Sequence, residues 1–410
     1  MIQKRILGIC PHFYPEMVST GLHMTELFTG IASYPENEFH VYCTYPIKKE
    51  FQDLNPPTNE IYKNIKIYRA KNIGAEHKSI FSKLISNISF SSKTFFYAVR
   101  KRKEYDMILI TTDPPFLAII CWLIKLIFKK PYVLIMYDIY PDIAIKLNVL
   151  KEKGFVSRFW NWFNKRTFKH ASKLVVIGED MKILLQENYS HIPDENYELI
   201  HNWSDKNFVH PIPKEENQFL KEHNLEGKRI LLYSGNMGRT HNVESILEAA
   251  IDLDGKFDDV VFLFIGGGIK KYLVKKHIDE GLSSNVMQLP FQPFEILAHV
   301  LSSATFSFVC LDDDFTGMSV PSKSYGIMAS QTPILGLLRS DSEIAETIKR
   351  DNSGWVWNSE SNVPLSTIVQ KVLEDPNEIE SKGKNALSSF QANYDLAISV
   401  DKYNELLKTV

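Results

Sequence analysis

The 410-residue sequence predicts an α/β protein of two doubly wound, Rossmann-like domains facing a cleft. Three observations carry that prediction. Short β-rich runs alternate with helix-length polar and apolar segments along nearly the whole chain. Most of the runs are continuously apolar, as expected of parallel strands covered by helices on both faces. The alternation breaks once, at Asn202–Gly227, a stretch with two prolines and scattered charge, and then restarts. Length agrees, because domains commonly run to ~150 residues.

In the first half the strands are expected at Ile6–Cys10, His40–Thr44, Ile65–Arg69, Met107–Thr111, Tyr132–Met136, Leu174–Ile177 and Glu198–Ile200. In the second half they are expected at Ile230–Tyr233, Val260–Ile265, Val286–Leu289, Phe306–Val309 and Ile334–Leu337. Asn202–Gly227 is the linker. The boundaries that follow are 1–203 for the first domain and 204–389 for the second. Residues 390–410 form a last segment, helical by the spacing of Leu396, Val400, Tyr403, Leu406 and Leu407.

A net charge of −2 and 23% charged residues point to no polyanionic partner for the chain as a whole. Cys10, Cys43, Cys121 and Cys310 sit apart in apolar runs, as buried thiols in a reducing compartment do. The opening MIQKRILGIC runs straight into a strand, so no signal peptide is expected and the location expected is cytoplasmic. The most apolar segment, Phe116–Phe128, has 13 residues, fewer than the ~18 that cross a bilayer, and reads as a buried helix.

Local charge is more telling. Lys63–Lys103 holds eleven Lys/Arg against Glu76 alone, and Lys151–Lys173 holds seven against Glu152 alone. Both segments interleave aromatics: Phe81, Phe90, Phe95, Phe96 and Tyr97, then Phe155, Phe159, Trp160, Trp162, Phe163 and Phe168. That composition suits helices lying on an anionic membrane surface. Single-strand nucleic acid binding, or solvated helices with inward aromatics, share it. The membrane surface is the expectation adopted, with no nucleic acid.

Ligands of open parallel sheets bind beyond the carboxyl ends of strands, so the exit loops carry the chemistry. After Ile230–Tyr233 comes SGNMGRTHNVESILEAA, in which Gly235 and Gly238 let backbone N–H groups approach a ligand. Asn242 is a candidate helix cap and Arg239 a forked cation, so the loop reads as a phosphate cradle. The stretch FTGMSVPSKSYGIMASQTPILG, Phe315–Gly336, has the same character. Gly317 and Ser319 lie in the loop, Pro321 suits a helix start, and Lys323 falls in the first turn. A cation there opposes the helix dipole unless an anion is near, and no carboxylate occurs in the stretch to repel one. Two cradles on neighbouring strands suggest one diphosphate held between them. Both Arg239 and Lys323 are expected to reach solvent.

In the first half, Pro11–Leu22 ends in Thr20-Gly21, Thr111–Pro115 reads TTDPP, and Tyr137–Asp142 reads YDIYPD. Asp138 and Asp142 could orient sugar hydroxyls, serve as a base, or cap a helix; His12 reads as packing. Gly266–Gly268 is no dinucleotide fingerprint and lets a strand end turn sharply or approach a ligand. Asp312–Asp314 looks like a DxD metal clamp, but the expectation is a solvated loop or a sugar-hydroxyl acceptor, with no metal.

Seven stretches together resemble the family 4 retaining glycosyltransferases of the GT-B fold: YPEMVSTGLHMTEL, TTDPPFLA, YDIYPDIAIKLNVL, VVIGEDM, HNWSD, YSGNMGRTHNVESILEAA and GMSVPSKSYGIMASQTPIL. The likeness is to bacterial members that build O-antigen, capsule and colanic-acid-type polysaccharides, of fucosyl- or N-acetylfucosaminyl-transferase type. It implies a UDP- or GDP-linked sugar donor, a polyprenyl-pyrophosphate-linked saccharide acceptor, and metal-independent transfer at the inner face of the cytoplasmic membrane. It also implies that Asp138, Arg239 and Lys323 are catalytic. Thr20, Gly21, Gly235, Asn236, Arg239, Phe291, Gly317, Ser319 and Lys323 would bind the donor, with Phe291 in the LPFQP stretch at the base. The terminal helix would return to the first domain. The sequence departs from the family in three places. Gly326 stands where a ribose-binding glutamate is common, no lysine follows the Gly-Arg pair, and Tyr137 replaces a histidine. A nucleotide-sugar epimerase and a non-catalytic sugar-nucleotide-binding subunit are the rival expectations.

Overall fold

The computed structural model describes residues 3–17, 20–47, 51, 53–71, 80–114 and 116–410. Val18, Ser19, Pro115 and the 72–79 part of the first basic segment lie outside the described residues. The chain divides into two compact units, one of residues 1–201 and 397–410, the other of residues 202–396.

In the first unit β1 (Lys4–Ile9), β2 (Asn37–Thr44), β3 (Asn59–Tyr62), β4 (Ile65–Ala70), β5 (Met107–Thr111), β6 (Tyr132–Met136), β7 (Lys173–Val176) and β8 (Tyr197–Leu199) form one sheet. Its order is β3-β4-β2-β1-β5-β6-β7-β8, parallel except for the β3–β4 pair. Every residue of β5 and β6 is buried, which explains their unbroken apolar sequences. The unpredicted β3 is an edge strand, joined to β4 by Lys63 and Asn64, both at positive φ. The helix Leu396–Thr409 packs here, with Val400 against Gly30 and Asn404 accepting from Asn37 at 2.7 Å. Residue 390 itself lies within the helix Pro376–Asn393, a part of the second unit.

In the second unit β9 (Arg229–Asn236), β10 (Val260–Gly267), β11 (Val286–Leu289), β12 (Ala304–Cys310), β13 (Ile334–Leu337) and β14 (Gly354–Trp357) form a sheet of order β11-β10-β9-β12-β13-β14, parallel throughout. Strand β14 was not predicted; its four residues follow a turn and are only partly buried. The core unites the aromatic and aliphatic residues of β9, β10 and β12 with the inner faces of the helices Glu244–Leu253 and Leu365–Leu373. Because β9 and β12 are neighbours, their exit loops emerge side by side at the carboxyl edge.

Candidate functional site

Strand β9 ends in Ser234-Gly235-Asn236. Gly235 has φ +128°, where a side chain would be strained, so the bend that opens this edge requires glycine. Across it stands Lys323, first residue of the helix Lys323–Ala329, which follows β12. A Cβ placed on Gly235 would lie 3.7 Å from Lys323 Nζ. The two predicted cradles therefore meet.

The state of Lys323 differs from the expectation. Its ammonium is out of solvent and has no hydrogen-bond partner among the described residues. It lies over the Tyr233 ring, 4.1 Å from the centroid. Burial pulls its pKa down from 10.5 to about 8. The physical reason is its position: the helix packs on β12 and β13, and the Lys323 side chain reaches over to the aromatic face of Tyr233 on the neighbouring β9. Arg239, in contrast, is exposed as expected.

Sequence reasoning missed Tyr233 and His241. The Tyr233 hydroxyl lies 2.6 Å from His241 Nδ1 and donates to the Asn236 carbonyl at 2.9 Å. His241 Nδ1 is also 2.7 Å from that carbonyl. Burial, and next the charge of Lys323, push the His241 pKa down to about 4, so the ring is neutral at physiological pH. Together these groups pin the loop that presents Gly238 and Arg239. The predicted cap is present: Asn242 Oδ1 accepts from Ser245 N–H at 3.1 Å. The only advance signal was a polar-tipped aromatic at a strand end, followed by a histidine within the same exit loop.

The glycines Gly266–Gly268 serve the neighbouring loop. A Cβ on Gly266 would fall 2.0 Å from the Gly235 carbonyl oxygen, and one on Gly268 2.5 Å from Asn236 Oδ1. The close approach is thus between chain segments, and Met237 N–H donates to the Gly267 carbonyl at 2.6 Å. Phe291, predicted at the base, is 62% exposed and its ring lies against Gly266 and Gly267. Along the edge the order is therefore an exposed aromatic ring at β10, glycine backbone at β9 and a lysine after β12.

Gly317 has φ +76° and is buried, while Ser319 beside it is half-buried. Gly326 is half-buried: a Cβ there would come within 3.3 Å of Leu301 Cδ1 and 3.8 Å of Ser204 Oγ. Pro321 precedes the helix, and its carbonyl accepts from Ser324 N–H and Oγ. In the aspartate triplet, Asp312 Oδ1 accepts from Asp314 N–H at 3.2 Å and caps the turn Asp313–Phe315. Among the described residues, no three His, Cys, Asp or Glu side chains converge as metal ligands.

In the first unit Thr20 and Gly21 open the helix Thr20–Ala32. A Cβ on Gly21 would lie 2.3 Å from the Glu16 carbonyl oxygen, so the turn closes only on glycine. Glu16 is buried, bonded to His12 Nδ1 at 2.8 Å and accepting from Ile47 N–H at 2.8 Å; His12 thus packs against a loop brace. Asp138 lies after β6, its N–H donating to Thr112 Oγ1 at 3.3 Å. Asp142 starts the helix Asp142–Lys146, and burial raises its carboxyl pKa. Tyr137 stacks against His23, ring centroids 6.5 Å apart, so a histidine from another helix accompanies the residue that replaces one.

Residues 214–388 match the family model "Glycosyl transferases group 1". Among curated proteins, the probable glycosyltransferase WbjE of Pseudomonas aeruginosa is 29% identical over 314 residues, 76% of this chain and 77% of that one. The putative colanic acid biosynthesis glycosyl transferase WcaI of Escherichia coli K12 is 24% identical over 335 residues, 79% and 81% of the two chains. Sucrose-phosphate synthase from Thermosynechococcus elongatus superposes with a TM-score of 0.79 at 15% identity, over 99% of each chain. HepE of Anabaena, solved with UDP-glucose, superposes at 0.71 and 13% identity, over 99% of this chain and all of that one. The likeness to these structures shows a GT-B fold, and the match to the group 1 model falls within the second unit.

Proposed function

We propose that the protein is a retaining glycosyltransferase that moves a sugar from a nucleoside-diphosphate donor to a lipid-linked saccharide. It would do so in bacterial surface polysaccharide assembly, at the cytoplasmic face of an anionic membrane. The observation that carries this reading is the buried, unpartnered Lys323 ammonium beside the Gly235 backbone. A cation without a partner at a strand's carboxyl edge suits a phosphate anion. Phe291 offers an exposed ring face for a base at one end of the edge, and Lys323 a cation for the diphosphate at the other. HepE, a neighbour in fold, was solved with UDP-glucose, which favours a uridine donor here. The name of WcaI, a putative colanic acid biosynthesis glycosyl transferase, favours polysaccharide assembly, and that of WbjE favours glycosyl transfer.

In this reading the donor sugar leaves as its bond to the diphosphate breaks, and negative charge grows on the departing oxygen. Lys323, Arg239 and the Gly235–Gly238 backbone N–H groups stabilise that charge. No metal is needed for that step. The acceptor hydroxyl attacks from the face the diphosphate leaves and passes its proton to the departing phosphate oxygen, so configuration is retained, and Asp138 orients a sugar hydroxyl. Thr20 and Gly21 are the donor-binding candidates of the first unit, and Gly317 and Ser319 those of the second. The test is a thermal-shift panel of UDP-, GDP-, ADP- and CDP-sugars, followed by product analysis with polyprenyl-pyrophosphate saccharides. A UDP- or GDP-sugar that stabilises the protein and is transferred with retention supports the proposal. No stabilisation by any donor refutes it.

A further inference from the structure

Both basic, aromatic segments expose apolar side chains once folded, Phe96 at 71% and Ile88 at 52% in the first, but in the second the exposed rings stack on one another. In the first, Phe90 is buried and Tyr97 stacks on Tyr42 and Tyr68, with centroids 4.3 and 4.9 Å away. In its basic turn Lys101 pairs with Glu104 at 2.8 Å and Arg102 lies over the Phe128 ring, while Arg100, Arg102 and Lys103 are exposed. The second segment is the helix Phe155–His170, which buries Ser157, Trp160, Asn164, Thr167 and Phe168. Its opposite face carries Phe155 at 81% exposure, Phe159 at 53% and Trp162 at 44%.

These three rings form a continuous stripe. Phe155 and Phe159 stack with centroids 5.9 Å apart, Phe159 and Trp162 at 6.4 Å, and Phe163 meets Phe159 edge-on at 4.8 Å. The neighbouring helix Leu117–Phe128 adds the exposed Leu126 and Ile127, and its Trp122 touches Phe163. Exposed apolar area of this extent on a helix that already has a buried face needs a counterpart. The flanking charge says which. Arg158, Lys165 and Lys169 are exposed, the Arg166 guanidinium lies 3.4 Å from the Trp162 ring centre, and Glu152 is the only acid between Lys151 and Lys173. Apolar tips between cations match the boundary of an anionic bilayer, with acyl chains below and phosphates around.

We infer that the outer face of the helix Phe155–His170, with Leu126 and Ile127 beside it, is the seat of this protein on anionic lipid. Phe155, Phe159 and Trp162 enter the headgroup–acyl boundary, and Arg158, Lys165 and Arg166 meet lipid phosphates. This rests on the membrane part of the proposed function and assigns ring insertion to one helix; the Arg100–Lys103 turn, whose Arg102 lies over Phe128, adds charge but no inserting ring.

The test is co-sedimentation with phosphatidylglycerol-containing vesicles and with neutral phosphatidylcholine vesicles. The variant Phe155→Ser/Phe159→Ser/Trp162→Ser removes the stripe, and Arg100→Gln/Lys101→Gln/Arg102→Gln/Lys103→Gln removes the turn's charge. Donor-induced thermal shift and donor hydrolysis serve as fold and site controls. The wild type is expected to bind the anionic vesicles. The stripe variant should lose at least tenfold in partition while keeping the donor controls, and the turn variant should lose less than threefold. Release by the turn variant alone overturns the helix as the seat and leaves the membrane reading standing. A wild type that takes its donor but binds neither vesicle overturns both. A stripe variant that stops a wild-type dimer from forming, with no vesicle binding by either, overturns the seat in favour of self-association. If the stripe variant fails to melt cooperatively, the single variant Phe155→Ser, at the most exposed position, decides the same question by a smaller loss.

Discussion

The Lys323 ammonium rests on the face of the Tyr233 ring, 4.1 Å from its centre, with no hydrogen-bond acceptor among the described residues. The two terms in this contact are unequal. A cation–π contact contributes about 0.5–2 kcal/mol, while taking an ammonium from water without a partner costs several kcal/mol. Lys323 is therefore held at the expense of stability, and the proposed diphosphate would offset that cost on arrival. Pre-placing a cation in this way is how a site binds developing charge without reorganising.

The first prediction concerns that imbalance. Lys323→Met keeps an apolar stem against Tyr233 and removes the buried charge. Its melting temperature at pH 7 should equal or exceed the wild type's, while transfer falls by about 10²–10³, the loss expected when ~2.7–4 kcal/mol of charge stabilisation is removed. Differential scanning calorimetry and initial rates measure the two together. A lower melting temperature would mean that the ring contact outweighs desolvation; unchanged turnover would take Lys323 out of the reaction.

Acidity follows from the same contact. With its pKa down to about 8 against the usual 10.5, Lys323 sheds its proton in the folded protein first. Between those values the unfolded chain holds the proton and the folded one does not, so this group's penalty on stability, full below pH 8, fades as pH rises to 10.5. The gain of Lys323→Met over wild type should shrink across that window. Donor binding runs the other way, since the diphosphate needs the charged ammonium. Above pH 8 affinity should fall by up to about tenfold per pH unit, with proton uptake on binding. Titration calorimetry in buffers of different ionisation enthalpy reads that uptake, and an affinity flat from pH 7 to 9.5 would refute the linkage.

Much of this site was legible because its chemistry is local. The carboxylate-free run from Phe315 and the cation in a helix's first turn marked Lys323, and the glycines marked the β9 exit. What escaped depends on partners distant in the chain. Tyr233 reads as a strand residue until β12 brings Lys323 onto its ring. Gly266 looks like a ligand contact until β10 is set beside the Gly235 carbonyl. The strands β5 and β6 were plain from unbroken apolar runs, whereas β3 and β14 are four residues each and lie at sheet edges. The helix Phe155–His170 shows a further limit. Its inner face includes Ser157, Asn164 and Thr167 and its outer face Phe155 and Trp162, so hydrophobicity alone could not tell core from surface.

Arg239 offers a contrast to Lys323. It is exposed, so Arg239→Ala should leave the melting temperature within about 0.5 kcal/mol equivalent of wild type. Transfer should fall by one to three orders of magnitude, with Arg239→Lys recovering only part, because an ammonium cannot reproduce the forked contact to phosphate. Rates at saturating donor would locate the loss in turnover. Full recovery by lysine would show that charge alone matters there.

The last prediction bears on the aspartate triplet. If Lys323 and Arg239 supply the positive charge at the diphosphate, a divalent cation adds nothing essential and transfer should survive EDTA. Asp312 already has a role within the fold. Its Oδ1 caps the turn Asp313–Phe315, and its N–H donates to the Thr240 carbonyl at 2.7 Å, tying the β12 exit to the Arg239 loop. Asp312→Ala should therefore act as the loss of a cap, lowering stability by about 0.5–2 kcal/mol. Its effect on turnover should not change when Mg²⁺ or Mn²⁺ is added. The opposite pattern is equally clear: chelation that stops transfer, manganese that restores it, and an Asp312→Ala protein that melts normally but no longer responds to metal. That result would make the triplet a metal clamp and would return the neutralising charge from Lys323 and Arg239 to a bound cation.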